Sequence, residues 1–242
     1  MLPPPVIAHR GAAALAPENT LASFRRAAEM GARWVELDCQ LTADKVPVVI
    51  HDLRLGRTTS GRGQVCRRSL AELRSLDAGS WFAPAFAAER IPTLAQALSE
   101  IARLGLGVNI EIKPSRGQEA ETGRLAMRAA TAVWPSQAPP PLVSSFARAA
   151  LAAARSERPD WPRGLLATAL PRDWRTALRD LGCSTINLDH QRLSADRVAM
   201  IRDSEYAVLA YTVNDPTRAR ELWGWGVSSV FTDDLDQLLP LI

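Results

Sequence analysis

Cysteine is scarce, and the three present, Cys39, Cys66 and Cys183, are odd in number and widely spaced. That pattern excludes a disulfide framework and a CxxC metal site, and it fits a reducing compartment. No run of about 18 apolar residues occurs, so no membrane-spanning helix is expected. The opening Met1-Leu2-Pro3-Pro4-Pro5 lacks the basic region and apolar stretch of an export signal, and the expectation is a cytoplasmic protein without membrane insertion. Dense basic runs interleaved with aromatics are missing as well. The 29 Lys and Arg stand against 26 Asp and Glu, a net +3, and nucleic acid is not an expected partner. A Gly-rich phosphate loop after the first strand is also lacking, since Gly11 stands alone.

What the chain does contain is enough for a large core. At 242 residues, 47% hydrophobic and 23% charged, it has the make-up of a globular protein. An α/β barrel of about 250 residues would use the whole length as one domain. The most informative stretch is residues 34–52, WVELDCQLTADKVPVVIHD. On an extended strand Glu36 and Asp38 lie two residues apart and leave on the same face. A polar break at Thr42-Ala43-Asp44-Lys45 then leads into the apolar run Val46 to Ile50, ending in His51-Asp52. So short a connection forces an antiparallel hairpin. A two-residue turn at Asp44-Lys45 would set Asp38 opposite His51; a longer turn would shift the register by about a residue and keep the neighbourhood.

Along the chain, short apolar strands alternate with helices. Strands are expected at Val6 to Ala8, in the hairpin, at 107–113, 142–145, 163–166, 184–188, 206–212 and 228–231. Helices follow from about Thr20, from the Thr93 to Gln96 capping box, and over 119–133, 147–157, 174–181, 194–203, 216–223 and 235–239. Leu53 to Arg90, rich in Gly and Arg and holding a capping box from Ser69 to Glu72, is too long for a simple connection. It reads as an insertion over the site. With the hairpin's return arm set aside, eight strands remain. Chemistry-bearing residues fall at their C-terminal ends: His9 and Arg10, Glu36 and Asp38, Glu111 and Lys113, Ser144 and Ser145, Asp189 and His190, Thr212 and Asn214, Thr232 and Asp233. A closed TIM (β/α)8 barrel, with its small insertion after the second strand, gathers those ends into one ring. An open sheet would spread them along an edge.

Three carboxylates, Glu36, Asp38 and Glu111, with no cysteine beside them suit one hard divalent cation, Mg²⁺ or Ca²⁺. Arg10 and Lys113 add cations beside the cluster, a combination built for a phosphate oxyanion. His9 and His51 then suit an acid and base pair, and the chemistry implied is cleavage of a phosphate ester. Tyr211 and the Trp81-Phe82 pair either line a substrate pocket or pack as core or lid; His190 reads as a surface histidine, and Cys39 as packing behind the site.

His9-Arg10-Gly11, Pro17-Glu18-Asn19-Thr20, Glu36-x-Asp38, His51-Asp52, Arg57-Thr58-Thr59, Glu111-x-Lys113, Tyr211-Thr-Val-Asn214 and Thr232-Asp233 resemble, in order, the signature of the glycerophosphodiester phosphodiesterase family. The resemblance covers nearly the whole chain and is closest to the small cytosolic bacterial branch. It implies a TIM barrel with a small insertion at about 53–90, one divalent cation on Glu36, Asp38 and Glu111, and His9 and His51 as acid and base. It also implies Arg10 and Lys113 on the phosphate, Glu18 and Asn19 near the metal and first histidine, and Asn214 and Asp233 supporting the barrel mouth. The products would be glycerol 3-phosphate and an alcohol such as choline, ethanolamine or glycerol. Two departures stand out: Lys45-Val46 where the family usually has a glycine in the hairpin turn, and Asp234-Leu235 in place of a proline-containing turn. Two other readings fit the pattern: a barrel of this type cleaving lyso-phospholipids, and a non-catalytic barrel binding a phosphate ligand.

Overall fold

Parallel strands need crossovers, and in this chain most strands are followed by a helix long enough to supply one. The computed structural model describes residues 2–242. Its strands are β1 (Val6–Ala8), β2 (Trp34–Leu41), β3 (Pro47–Val49), β4 (Gly107–Ile112), β5 (Leu142–Ser145), β6 (Arg163–Ala167), β7 (Thr185–Asp189), β8 (Ala207–Tyr211) and β9 (Ser229–Thr232). Its helices are α1 (Leu21–Glu29), α2 (Leu70–Arg74), α3 (Leu94–Arg103), α4 (Glu119–Val133), α5 (Arg148–Glu157), α6 (Trp174–Leu181), α7 (Ala195–Arg202), α8 (Pro216–Trp225) and α9 (Leu235–Leu238). The sheet runs β1-β9-β8-β7-β6-β5-β4-β2-β3, and an added β1–β2 pairing closes it. Every pair is parallel except β2–β3. The result is the closed eight-stranded TIM barrel expected from the sequence, with β3 outside the ring.

Side-chain alternation sorts the strand residues into two cores. Outward positions such as Val35, Leu37, Val108, Ile110, Val143, Ile186 and Val208 join helix residues such as Phe24, Leu98, Ile101 and Leu151 in one large buried cluster. The other face of the strands puts Ile7, Leu142, Leu209 and Phe231 together inside the ring. Crowding there is severe. A Cβ on Gly107 would lie 2.2 Å from the Trp34 indole, and one on Gly164 would lie 2.4 Å from Thr185 Oγ1. Toward the C-terminal ends the inward set turns polar: Glu36 and Asp38 on β2, Asn109 and Glu111 on β4, Ser144 on β5, Asn187 on β7. Asn109 Nδ2 donates to Ser144 Oγ at 2.9 Å, which satisfies part of that layer.

The hairpin differs from the two-residue turn by one position. Cys39 pairs with Val49 and Leu41 with Pro47, so Asp38 faces Ile50 and not His51. The cause lies in the turn: Thr42 and Val46 close a three-residue loop in which Lys45 takes φ +63°. A glycine would take that left-handed conformation without cost. His51 still reaches the site because the chain leaves the strand after Val49. Gln40 Nε2 lies 2.9 Å from each of the Ile50, His51 and Asp52 carbonyl oxygens and fixes this bend.

Residues 53–90 follow β3 and build a small core of their own, in which Leu55, Val65, Leu73 and Ala78 pack with Val48, Ile50 and Ile91. Both expected capping boxes are present, Ser69 with Glu72 on α2 and Thr93 with Gln96 on α3. The segment is anchored to the hairpin tip: Ala43 N–H donates to the Arg68 carbonyl, and Leu70 N–H to Asp44 Oδ1. Among the described residues no helix is long and apolar enough to cross a membrane.

Candidate active site

At the end of β1 the backbone makes a tight bend through Arg10 (φ +55°) and Gly11 (φ +84°). A Cβ on Gly11 would stand 2.3 Å from Ser23 Oγ, so this position needs glycine both for its φ and for the close approach of α1. The bend turns His9 and Arg10 toward the barrel mouth, and Arg10 N–H donates to Glu36 Oε2 at 2.9 Å. His9 Nδ1 lies 2.8 Å from Asp233 Oδ1. A carboxylate only accepts, so Nδ1 carries the proton and Nε2 is left for the cavity, 3.9 Å from Glu36 Oε2. Asn214 holds Asp233 in turn: Nδ2 donates to Asp233 Oδ2 at 3.1 Å, while Oδ1 accepts from the Asp233 N–H and the Thr232 hydroxyl.

His51 repeats the arrangement from the opposite side. Its Nδ1 is 2.6 Å from Asp52 Oδ1, again leaving Nε2 free. Burial lowers the proton affinity of His51, and the charges of Arg10 and Lys113 act with it against the opposing pull of Asp38 and Asp52. Asp52 is held well below the ordinary carboxylate range, first by its hydrogen bonds from Arg57 and then by that from His51.

Between the two rings lie Glu36, Asp38 and Glu111, each offering one oxygen within 4.8 Å of the others. Glu36 is 2% and Asp38 0% exposed. Asn19, itself at φ +59°, braces Asp38 twice: Nδ2 donates to Oδ2 at 2.8 Å and Oδ1 accepts from its N–H at 3.1 Å. Even so, Glu36 Oε1, Asp38 Oδ1 and Glu111 Oε1 are buried without any hydrogen-bond partner. Lys113 Nζ, near Asp38 Oδ1 and Glu111 Oε1, offsets part of this, but one ammonium against three clustered buried carboxylates leaves a cost that a further cation among them would relieve. The all-oxygen donor set fits a hard divalent ion.

The strain of this cluster shows in its protonation. Burial, then the charges of Asp38 and Glu111, push Glu36 well above the usual carboxylate value. Burial, then Asp38, push Glu111 up to about 7. Asp38 goes the other way: burial opposes its ionisation, but Lys113, Arg10 and the two histidines outweigh burial and keep it charged. Lys113 Nζ stands 3.6 Å from Asp38 Oδ1 and 3.5 Å from Glu111 Oε1. Arg10 donates through Nη1 to Glu18 Oε1 at 2.8 Å, while its Nε stands 3.4 Å from Asp38 Oδ2.

These groups surround a cavity of about 170 Å³ lined on its charged side by His9, Arg10, Glu36, His51, Glu111 and Lys113. Phe146, Leu166, Tyr211 and Phe231 form the opposite, apolar wall. Phe146 meets Tyr211 edge to face and is 49% exposed at the rim. Of the residues singled out from the sequence, Tyr211 thus lines the cavity, its hydroxyl donating to the Ala167 carbonyl at 3.0 Å. Glu18 and Asn19 stand one step behind it on Arg10 and Asp38. Trp81 and Phe82 lie outside it, packed edge to face on one another within the insertion. His190 is also outside, half-buried on a helical turn after β7. Cys39 is fully buried on β2, on the face that joins the large core behind the site.

Leu166, Phe231 and Phe146 escaped the sequence reading, and Arg57, quoted there only within a motif, escaped it in its contacts. Leu166 and Phe231 occupy the last inward positions of β6 and β9, which counting in twos would have found. Phe146 carried no such signal. Arg57, inside the insertion, donates to both Asp52 and Glu18, partners 5 and 39 residues away.

Comparison with known proteins places this geometry. The profile of the Glycerophosphoryl diester phosphodiesterase family matches residues 9–237. A glycerophosphodiester phosphodiesterase of Caldanaerobacter subterraneus is 34% identical over 238 residues, covering 98% of this chain and 97% of that protein. One from Bacillus subtilis is 32% identical over 244 residues, covering 94% of this chain and 82% of the relative. The structure of an Oleispira antarctica phosphodiesterase in complex with its product sn-glycerol-3-phosphate superimposes with a TM-score of 0.95 at 40% identity, covering 98% and 96% of the two chains.

Proposed function

The chain belongs to the glycerophosphoryl diester phosphodiesterase family, and from that premise we propose that it hydrolyses small glycerophosphodiesters such as glycerophosphocholine and glycerophosphoethanolamine to glycerol 3-phosphate and the free alcohol. In this reading residues 1–242 act as one phosphodiesterase domain, with about 53–90 inserted at the mouth, working in the cytoplasm. The observation that carries the proposal is the cluster of three carboxylates, Glu36, Asp38 and Glu111, set between two histidines whose Nδ1 atoms are both engaged by carboxylates.

Glu36, Asp38 and Glu111 would hold one Mg²⁺ or Ca²⁺. Bound there, it supplies Lewis-acid stabilisation of the phosphate charge. Arg10 and Lys113 bind the non-bridging phosphate oxygens, Arg10 through the guanidinium edge not taken by Glu18. His9 and His51 move the protons: the ring that starts neutral accepts the proton of the attacking hydroxyl at Nε2, and the other, entering as the imidazolium, delivers its Nε2 proton to the leaving oxygen. Asp233 and Asp52 fix the Nδ1–H tautomer of each ring, so the nitrogen that reacts is the one facing the cavity. Asn214 orients Asp233, Asn19 braces Asp38, and Glu18 orients Arg10. Tyr211, with Phe146, Leu166 and Phe231, shapes the apolar wall against the carbon skeleton of the substrate.

The cavity of about 170 Å³ with its charged side accommodates a glycerol phosphate head. The test is release of glycerol 3-phosphate from a mixture of glycerophosphocholine and glycerophosphoethanolamine, run beside a lyso-phospholipid of the same headgroup. Faster turnover of the soluble diesters supports the proposal. Turnover of the lyso-phospholipid alone would move the assignment to the lipid-cleaving reading, and phosphate-ligand binding without turnover of either would move it to a binding barrel.

A further inference from the structure

The insertion contributes a residue to the site without touching the cavity. Arg57 donates to Asp52 through Nε at 2.7 Å and Nη2 at 3.0 Å, and to Glu18 through Nη1 and Nη2, each at 2.7 Å. A guanidinium has five N–H donors in a fixed fork, and four contacts to two carboxylates use nearly all of them. Arg57 therefore has little left for a phosphate, unlike Arg10. What it grips is decisive: Asp52 is the carboxylate on His51 Nδ1, and Glu18 is the carboxylate on Arg10 Nη1.

We infer that Arg57 is a positioning residue that couples the proton-transfer ring of His51 to the phosphate-binding side chain of Arg10. One planar group sets the aim of both. Without it, Asp52 loses two donors and is free to turn away from Nδ1, while Glu18 loses two donors and relaxes with Arg10. The inference rests on the roles proposed above for His51 and Arg10. It also gives the insertion a function, since residues 53–90 carry Arg57 to a place that no barrel strand supplies.

The Arg57 side chain is 45% exposed and outside the buried cores, so its loss should leave the fold intact, and melting temperature separates any stability lost with its two carboxylate pairs from loss of positioning. A lysine has the charge but a single ammonium, and it cannot bridge two carboxylates in the plane of a fork.

The experiment compares wild type, Arg57→Ala and Arg57→Lys in glycerophosphocholine turnover at saturating Mg²⁺, with melting temperature and Mg²⁺ affinity measured alongside. The expected result is a fall in kcat of about 10- to 100-fold in both variants, the range for partners that orient a reacting ligand. Melting temperature and Mg²⁺ affinity stay near wild type. Added guanidinium chloride, well below denaturing concentration, restores part of the rate of Arg57→Ala and none of Arg57→Lys. A kcat for Arg57→Ala within twofold of wild type would overturn the inference. So would a loss that guanidinium does not restore, or one matched by a fall in melting temperature. Failure of the functional reading itself shows separately, as wild type without turnover.

Discussion

Glu36 is buried beside two other carboxylates with one oxygen unpartnered. Replacing it by glutamine removes a like charge and keeps the size. Glu36→Gln is accordingly expected to weaken Mg²⁺ affinity by at least about 10-fold while leaving the metal-free protein as stable as wild type or more so, read by calorimetric titration and by urea unfolding. Protonation gives a second check. Glu111 is raised to about 7 and Glu36 is raised too, so between about pH 4.3 and 7 the folded chain holds protons that the unfolded chain has released. The metal-free protein therefore loses stability from this cluster as pH rises through that window. Glu111→Gln should flatten the loss, and unfolding midpoints from about pH 5 to pH 7.5 would show it. Metal binding must expel the same protons, so Mg²⁺ affinity should fall as pH drops below about 7. The Glu36-x-Asp38 pair was legible in the sequence because a strand's period of two dictates a shared face. Arg57 as a partner of Asp52 and Glu18 was not, because that contact spans the hairpin bend and the insertion, and no local period encodes it.

At the scale of elements, helix packing overrides helix propensity at Gly123. In an exposed helix Gly→Ala gains about 1 kcal/mol. Here a Cβ would lie 2.4 Å from the Ala150 carbonyl of α5, a backbone atom that cannot step aside. Gly123→Ala should therefore destabilise by roughly 1–3 kcal/mol, the usual range for overpacking, measurable as a lowered urea midpoint with unchanged m value. The hairpin shows where local reading stopped. Its existence and its neighbourhood followed from the short polar break, but its register depended on a left-handed φ at Lys45, a residue that rarely adopts one. Capping boxes at Ser69 and Thr93 were readable because both halves of the device lie within four residues.

For the whole molecule, eight apolar strands alternating with helices left barrel and open sheet both standing, and the chemistry at the strand ends separated them. Closure itself, the β1–β2 and β1–β9 pairing, is a long-range fact that only the ring of functional residues hinted at. The period of two places Leu166 and Phe231 inward but does not tell cavity wall from core, and Phe146, beyond the end of β5, has no such period to read. A barrel whose polar mouth is strained by its own carboxylates should be steadied as a unit by the cation. Mg²⁺ or Ca²⁺ at about 100 times its dissociation constant is expected to add about 2.7 kcal/mol to global stability, seen as a rise in melting temperature that EDTA reverses.

The measurement that bears most directly on the account is release of glycerol 3-phosphate from glycerophosphocholine as free Mg²⁺ or Ca²⁺ is restored to EDTA-treated protein, in wild type and His51→Ala. The account predicts no release before metal is added and saturable recovery in wild type. In His51→Ala it predicts a loss of at least about 100-fold at every metal concentration, with metal affinity unchanged. Full turnover by the metal-stripped protein, or near wild-type turnover by His51→Ala, would contradict it.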